Sequence, residues 1–168
     1  MPLKPLFPAK QLEKIPVADK PLSQGGKITY LSPEQFKEKF GCECTASIWG
    51  TEEQASDYQK RWQKALSNSG KLTETELKIL HRLDNPFEDA VICFIDEKVG
   101  YGLFAKKDIA AGTIIGVYSG TLGKAKTFEE AHDAYDYTLD KNANDIVSAK
   151  EKGGITRFMQ HLPNNYEK

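Results

Sequence analysis

Apolar positions in the first half of the chain recur every three to four residues, which is the period of an amphipathic helix. The clearest stripe follows Thr51 and comprises Ala55, Tyr58, Trp62, Ala65 and Leu66. Capping signals at Ser32 and Thr73, each with Gln or Glu three residues later, predict two further helices. The first of these should end near Phe40, because Gly41 follows and glycine is common directly after a helix C-terminus.

Beyond Asn85 the pattern changes to short runs of β-branched and aromatic residues bounded by Gly, Asp, Asn or Lys. These runs predict strands over residues 90–96, 103–105, 113–120, 135–140 and 145–149. Residues 127–134 form one short helical candidate among them. Strands this short, without long helices between them, favour small antiparallel sheets over a parallel βαβ sheet. The expected fold class is therefore α+β, with a β core of small antiparallel sheets over residues 90–168 after a helical segment.

Proline marks the beginning of the chain, where five of the eight prolines fall in residues 1–21, interleaved with lysines. Since proline fixes φ and lacks an amide hydrogen, residues 1–31 are expected to form an extended arm. The arm could dock on the body through apolar residues such as Leu6 and Ile15, or remain a free tail. Residues 32–89 are then a helical N-terminal segment, and residues 90–168 the β domain.

Composition and charge indicate the kind of protein, its partners and its compartment. With 168 residues, a net charge of −1 and 39% hydrophobic residues, the chain should be one soluble globular domain. That charge gives no attraction to nucleic acid or to a membrane surface, so neither is expected as a direct partner. No apolar run approaches the ~20 residues of a spanning helix, and no secretory signal begins the chain. Three cysteines, an odd number, suggest an intracellular compartment, cytoplasm or nucleus. Cys42-Glu43-Cys44 has no second cysteine pair, so no metal site is expected.

A glycine-rich stretch, VGYGLFAKKDIAAGTIIGVYSG, covers residues 99–120 and holds five of the thirteen glycines. It is not a dinucleotide-binding fingerprint, because Ala105 stands where the third glycine would be and a strand follows instead of a helix. Two interpretations remain. Gly100, Gly102 and Gly112 could supply positive φ in hairpin turns, or the backbone could be approached closely by a ligand.

Three blocks of the second half occur in a fixed order. The apolar run AVICFID precedes Gly100-Tyr101-Gly102, then LFA, a DIAAGT turn and a strand ending in Tyr118-Ser119-Gly120. The aromatic run YDYTLD and the segment GGITRFMQHLPN follow. In order and spacing these blocks resemble the SET domain family of protein lysine methyltransferases. The resemblance spans residues 90–164 and implies a SET-like β core.

The resemblance also implies a cofactor, S-adenosyl-L-methionine. The residues that match the family's cofactor-binding positions are Gly100, Tyr101, Gly102, Arg157, Phe158, Gln160 and His161. The first three correspond to a loop whose backbone lies against the amino-acid end of the cofactor, where a Cβ would collide with it. The others correspond to a segment that packs on the adenine.

The same resemblance places the catalytic tyrosine in the aromatic run YDYTLD. Tyr135 aligns with the active-site tyrosine, and Tyr137, two residues along the same strand face, is the alternative. The implied substrate is a lysine on a protein or peptide, such as a histone. No metal takes part in this chemistry.

Several positions depart from the family pattern. Gln160 stands where Asn is usual, and Thr121 where Glu is usual. The cysteine-rich zinc regions that flank some SET domains are absent, and the closing Asp-Tyr block does not occur before Lys168. We therefore expect the domain over 90–168 to lack its C-terminal strand. Two functions stay open: a lysine methyltransferase or a fragment of one, and a catalytically degenerate SET scaffold acting as a protein-interaction module. A reduced core of this kind also suits a secreted bacterial effector.

Overall fold

The computed structural model describes residues 2–7, 10–69, 72–124, 135–140 and 145–160 of the chain. Within these ranges, helices run over Pro33–Phe40 (α1), Glu52–Ser69 (α2) and Glu74–Asp84 (α3). None of the helices in the described ranges is long and apolar enough to cross a membrane.

The predicted starts of α1 and α3 are confirmed by their capping bonds. The Ser32 hydroxyl accepts a hydrogen bond from the Gln35 amide at 3.3 Å, and the Gln35 side chain accepts one from the Ser32 amide at 2.8 Å. The same reciprocal pair precedes α3. Gly41, with φ of +67°, follows α1 as expected, because glycine has no Cβ to oppose this left-handed conformation.

Helix α2 lies where its apolar stripe predicts it. Ala55 is buried, and the Tyr58 ring packs edge-on against Phe7 of the N-terminal arm, with 4.8 Å between ring centroids. The predicted end of the helix at Gly70, and the side chains of the stripe beyond residue 60, lie outside the described residues.

The strands of the described residues form three sheets. They are β1 Lys4–Pro5, β2 Ile15–Ala18, β3 Ile28–Leu31, β4 Glu43–Cys44, β5 Ile48–Gly50, β6 Ala90–Asp96, β7 Gly100–Ala105, β8 Gly120–Lys124, β9 Asp136–Asp140, β10 Asp145–Ser148 and β11 Lys152–Gly153. One sheet has the order β3-β2-β6-β7, a second β1-β5-β8-β10-β9, and β11 pairs with β4. Small sheets beside helices confirm the α+β, SET-like fold class.

Four of the five predicted strands coincide with observed ones, and the strand predicted over 113–120 does not. Only Gly120 of that range belongs to a strand. The carbonyls before it bond to side chains instead: Ile114 accepts from Arg82 Nε at 2.6 Å, and Val117 accepts from the Thr156 hydroxyl at 3.2 Å. These side chains therefore occupy carbonyl oxygens that would accept backbone hydrogen bonds in a strand. The helix predicted over 127–134 lies outside the described residues.

The sheets also include parallel pairs, which the sequence analysis did not expect. Strand β2 is parallel to β6, β5 to β8, and β4 to β11. In each pair, one strand comes from residues 1–50 and the other from residue 90 or later. The arm therefore docks on the body in its described part, and Leu6 and Ile15 are buried there. The division at residues 31 and 89 stays a prediction about domain boundaries, since all three segments share these sheets.

The main core lies between the β3-β2-β6-β7 sheet and α1. Its buried members are Ile15, Val17, Phe36, Cys42, Ile92 and Phe158. Phe36 is completely buried, and Phe158 reaches it from a 3-10 helix over Ile155–Phe158. Residues predicted to bind a cofactor thus lie at the edge of a core that both halves of the chain build.

Candidate functional site

Gly100, Tyr101 and Gly102 lie at the start of β7, in the hairpin that β7 forms with β6. Gly102 pairs with Cys93 and Tyr101 with Phe94, after which the register shifts so that Gly100 lies opposite Asp96. The shift is an irregularity of the bulge type, and bulges bend a strand and leave backbone groups outside the ladder. The hairpin therefore has irregular backbone at the residues that the sequence predicts to approach a ligand.

The two glycines of this hairpin differ in their surroundings. Gly100 has φ of +80°, and a Cβ added to it would meet no atom within 4 Å. A Cβ on Gly102 would come within 2.8 Å of Ile95 Cδ1 and 3.5 Å of Gln160 Cγ. Positive φ is confirmed for Gly100 and Gly112 but is wrong for Gly102. At Gly102 a side chain would have to displace the end of the Ile95 side chain, whereas Gly100 is favoured by its backbone conformation and borders open space.

The segment over 157–160 comes to this hairpin from the other end of the chain. Gln160 donates a hydrogen bond from Nε2 to the Tyr101 carbonyl at 3.0 Å. The Phe158 ring lies 5.0 Å from the Phe40 ring, and Phe40 lies 4.9 Å from Tyr101, both edge-to-face. The structure thus brings Tyr101, Phe158 and Gln160 together. The predicted cofactor residue His161 lies outside the described residues.

Arg157 connects this group to the predicted catalytic tyrosine. Its Nη1 donates to the carbonyls of Ala149 at 2.5 Å and Lys150 at 3.0 Å, just beyond β10. Its guanidinium carbon lies 3.8 Å from the centroid of the Tyr135 ring, which is stacking distance for a cation on an aromatic face. Burial raises the pKa of the neighbouring Cys42 thiol, and the charge of Arg157 acts in the opposite direction.

The two candidate tyrosines meet at a third tyrosine. The Tyr118 hydroxyl donates to the Tyr135 carbonyl at 2.8 Å, and the Tyr118 ring lies 5.4 Å from the Tyr137 ring. Tyr135 is half-buried directly before β9, whereas Tyr137 within β9 is 55% exposed. Sequence reasoning placed Tyr118 in a motif but gave it no role. Its position directly before Ser119-Gly120 was the available signal.

A groove of about 380 Å³ borders the hairpin on its β6 side. It is lined by Val17, Ala18, Asp19, Thr29, Leu31, Lys39, Phe94 and Tyr101. Lys39 Nζ lies 5.1 Å from the centroid of the Tyr101 ring and is the charged group nearest to that ring among the described cation–ring contacts. Within the described ranges no three His, Cys, Asp or Glu side chains are grouped so as to hold a metal ion.

The residues present fit the cofactor that the sequence implies. A zwitterionic amino-acid end needs backbone groups that a ligand can approach, and Gly100 offers them beside open space. A purine needs apolar contacts, and the rings of Tyr101, Phe40 and Phe158, which pack edge-to-face, supply apolar atoms beside the hairpin. Gln160 adds a carboxamide that is exposed at the same edge.

Known proteins resemble part of the chain. Residues 100–168 match the SET domain family model. A stretch of 76 residues is 32% identical to the "Variant-silencing SET domain-containing protein" of Plasmodium falciparum (isolate 3D7), covering 39% of this chain and 3% of that protein. Two fungal relatives are named "Histone-lysine N-methyltransferase, H3 lysine-36 specific". The one from Yarrowia lipolytica is 35% identical over 79 residues and the one from Cryptococcus neoformans 35% over 77. Each match covers 42% of this chain, and 10% and 9% of the respective relative. The chain therefore spans at most a tenth of these relatives.

Proposed function

Because residues 100–168 of this chain match the SET domain family model, we propose that the protein is an S-adenosylmethionine-dependent protein-lysine methyltransferase, or the part of one that carries its cofactor-binding segments. The observation that carries the proposal is the contact between two sequence-distant segments with the family's motifs. Gln160 bonds to the Tyr101 carbonyl across 59 positions of the chain. This long-range contact supports the proposal that the two motifs form one site.

The chemistry requires a neutral lysine amine in line with a methyl group. When bound, S-adenosylmethionine would supply that methyl group from its positively charged sulfonium, with breaking of the sulfur–methyl bond and release of S-adenosylhomocysteine. A free lysine has a pKa near ~10.4, so only about one in a thousand is neutral at physiological pH. An apolar channel beside a positive charge lowers this pKa by desolvation and by like-charge repulsion. We propose that Tyr135 and Tyr137 wall such a channel.

Tyr135 is the better catalytic candidate of the two. Its ring is fixed by Arg157, and its carbonyl accepts hydrogen bonds from Tyr118 and from the Ala149 amide, both at 2.8 Å. Tyr137 is more than half exposed, so this residue is less desolvated than the half-buried Tyr135. A phenol held in this way can accept a hydrogen bond from an amine and orient its lone pair.

Methyl transfer to histone H3 tests the proposal. The 168-residue chain is incubated with radiolabelled S-adenosylmethionine and an H3 peptide centred on the lysine that the fungal relatives' names specify. Tyr135→Phe keeps the ring and its contacts with Arg157 but removes the hydroxyl. We expect its kcat to fall roughly ten- to a hundredfold, the value of one hydrogen bond made near the transition state, with unchanged cofactor affinity.

Tyr137→Phe is the matched control, with the same atom removed two residues away. We expect it to retain most of the activity. Wild-type turnover in Tyr135→Phe together with an inactive Tyr137→Phe would exchange the two roles. Peptide binding without cofactor binding or turnover in the wild type would instead support the interaction-module alternative.

A further inference from the structure

Phe40 contacts both segments of the proposed cofactor site and comes from neither. It is the last residue of α1, outside the residues that match the SET domain family. Its ring meets Tyr101 of the hairpin at 4.9 Å with an interplanar angle of 87°, and Phe158 at 5.0 Å with an angle of 70°. Phe40 therefore lies between two chain segments that are more than fifty residues apart in sequence.

The Phe40 ring is packed against its own helix. Phe36, one helical turn earlier, is completely buried and lies 4.6 Å from the Phe40 ring. Gly41 ends the helix directly after Phe40, and its amide donates to the Lys37 carbonyl at 2.9 Å. A side chain on a capped helix with a buried neighbour has few alternative positions. The hairpin and the 157–160 segment thus both pack on a ring whose position α1 determines.

The hydrogen bond between the two segments is a weaker link. Gln160 donates one hydrogen bond to the Tyr101 carbonyl, and the Gln160 side chain is exposed, so water competes for this bond. Edge-to-face ring pairs add to the free energy beyond the area that they bury, and they fix an angle as well as a distance. Two such pairs on Phe40 hold the hairpin more firmly than Gln160 alone.

We propose that Phe40 is a positioning residue for the cofactor site, which holds the Gly100–Gly102 hairpin against the segment over 157–160. This inference rests on the proposed function, because the ligand of the aligned segments is S-adenosylmethionine. It extends that function to the N-terminal half, to which the family match assigns no part in the site.

Phe87 provides the matched control. It is a partly buried phenylalanine on the same core cluster, and none of the described ring contacts joins it to Tyr101 or Phe158. Phe40→Ala and Phe87→Ala should therefore both lower global stability through lost burial. Only Phe40→Ala should also change the cofactor site. Phe40→Tyr keeps the ring and should restore the cofactor affinity that Phe40→Ala loses.

Two measurements on the 168-residue chain test the proposal. Calorimetry with S-adenosylhomocysteine should show that Phe40→Ala weakens affinity about tenfold, whereas Phe40→Tyr and Phe87→Ala change it less than about threefold. Hydrogen–deuterium exchange without ligand should show faster exchange in peptides over 99–105 and 155–160 for Phe40→Ala than for Phe87→Ala. Global unfolding in urea is measured for each variant so that exchange can be compared at known stability.

The two readouts separate the possible failures. If Phe40→Ala and Phe87→Ala give equal exchange in both peptides, Phe40 is an ordinary core residue and the proposal is wrong. If the wild type binds no cofactor but Phe40→Ala still loosens both peptides, positioning by Phe40 stands and the proposed function fails. Tenfold weaker binding that Phe40→Tyr does not restore would also overturn the role of the ring.

Discussion

Replacing Arg157 with lysine should destabilise the chain although it keeps the positive charge. The guanidinium donates from Nη1 to two carbonyls, at 2.5 and 3.0 Å, and lies 3.8 Å from the Tyr135 ring centroid. A lysine ammonium at the end of a flexible stem cannot reproduce this planar arrangement. We expect it to lose one hydrogen bond, about 1 kcal/mol, and most of the stacking, about 0.5 to 1 kcal/mol. The sum is about 1.5 to 2 kcal/mol.

Urea unfolding monitored by tryptophan fluorescence measures this loss. The midpoint should fall while the slope of the free energy of unfolding against urea stays constant, because the surface exposed on unfolding does not change. A changed slope would mean that the variant alters the compactness of the folded or unfolded state, and the midpoint alone would then not give the energy.

A double-mutant cycle isolates the stacking. Tyr135→Leu is combined with Arg157→Lys, and the coupling between them should be about 0.5 to 1 kcal/mol. Tyr137→Leu serves as the control partner, because the ring of Tyr137 lies against Tyr118 instead. A coupling within about 0.3 kcal/mol of zero for Tyr135 would refute the reasoning, since this is the scatter of independent sites.

Two further predictions concern ionisable groups away from the site. Lys107 and the buried side chain of Arg82 hold the pKa of Asp89 below its ordinary value of 3.8. Since the unfolded chain then binds the proton first, the contribution of Asp89 to stability is present above its ordinary pKa and lost as the pH falls below about 4. Urea unfolding between pH 6 and 3 should show this loss in the wild type and less of it in Asp89→Asn. Burial, followed by the nearby Cys42, raises the pKa of Cys44 to about 12. A disulfide reagent at pH 8 should therefore label the native chain much more slowly than the urea-unfolded chain.

The helices could be predicted because the interactions that start them are local. The Ser32 and Gln35 side chains bond to backbone amides three residues away, so their spacing in the sequence is enough to predict the capping hydrogen bonds. Strand β6 coincides with its predicted bounds for a similar reason, since an unbroken β-branched run bounded by polar residues is a local signal. Gly100 at the tight end of the hairpin is equally local.

The pairing of distant segments could not be predicted in this way. Residues 113–119 have the composition of a strand, yet Arg82 and Thr156 bond to two of their carbonyls from elsewhere in the chain. Strand β2 is short and contains Pro16, and it lies between β3 and β6 because the core behind it is apolar. Such contacts depend on tertiary packing, which overrides the local preference for a strand or an extended arm.

The same distinction applies to the candidate site. The residues with family motifs, Gly100 to Gly102 and Arg157 to Gln160, are recognisable because each motif is contiguous. Besides the bond from Gln160 to the Tyr101 carbonyl, their alignment involves residues outside these motifs. The hairpin needs β6 as its partner strand, and both segments meet at Phe40. Because β6 and Phe40 lie outside residues 100–168, the family match includes the residues that would bind the cofactor but not all of the structure that holds them in place. On the proposal made for Phe40, the N-terminal half contributes to the cofactor site, because the Phe40 ring contacts both segments. That proposal predicts that a substitution in α1 changes cofactor affinity without touching a family motif.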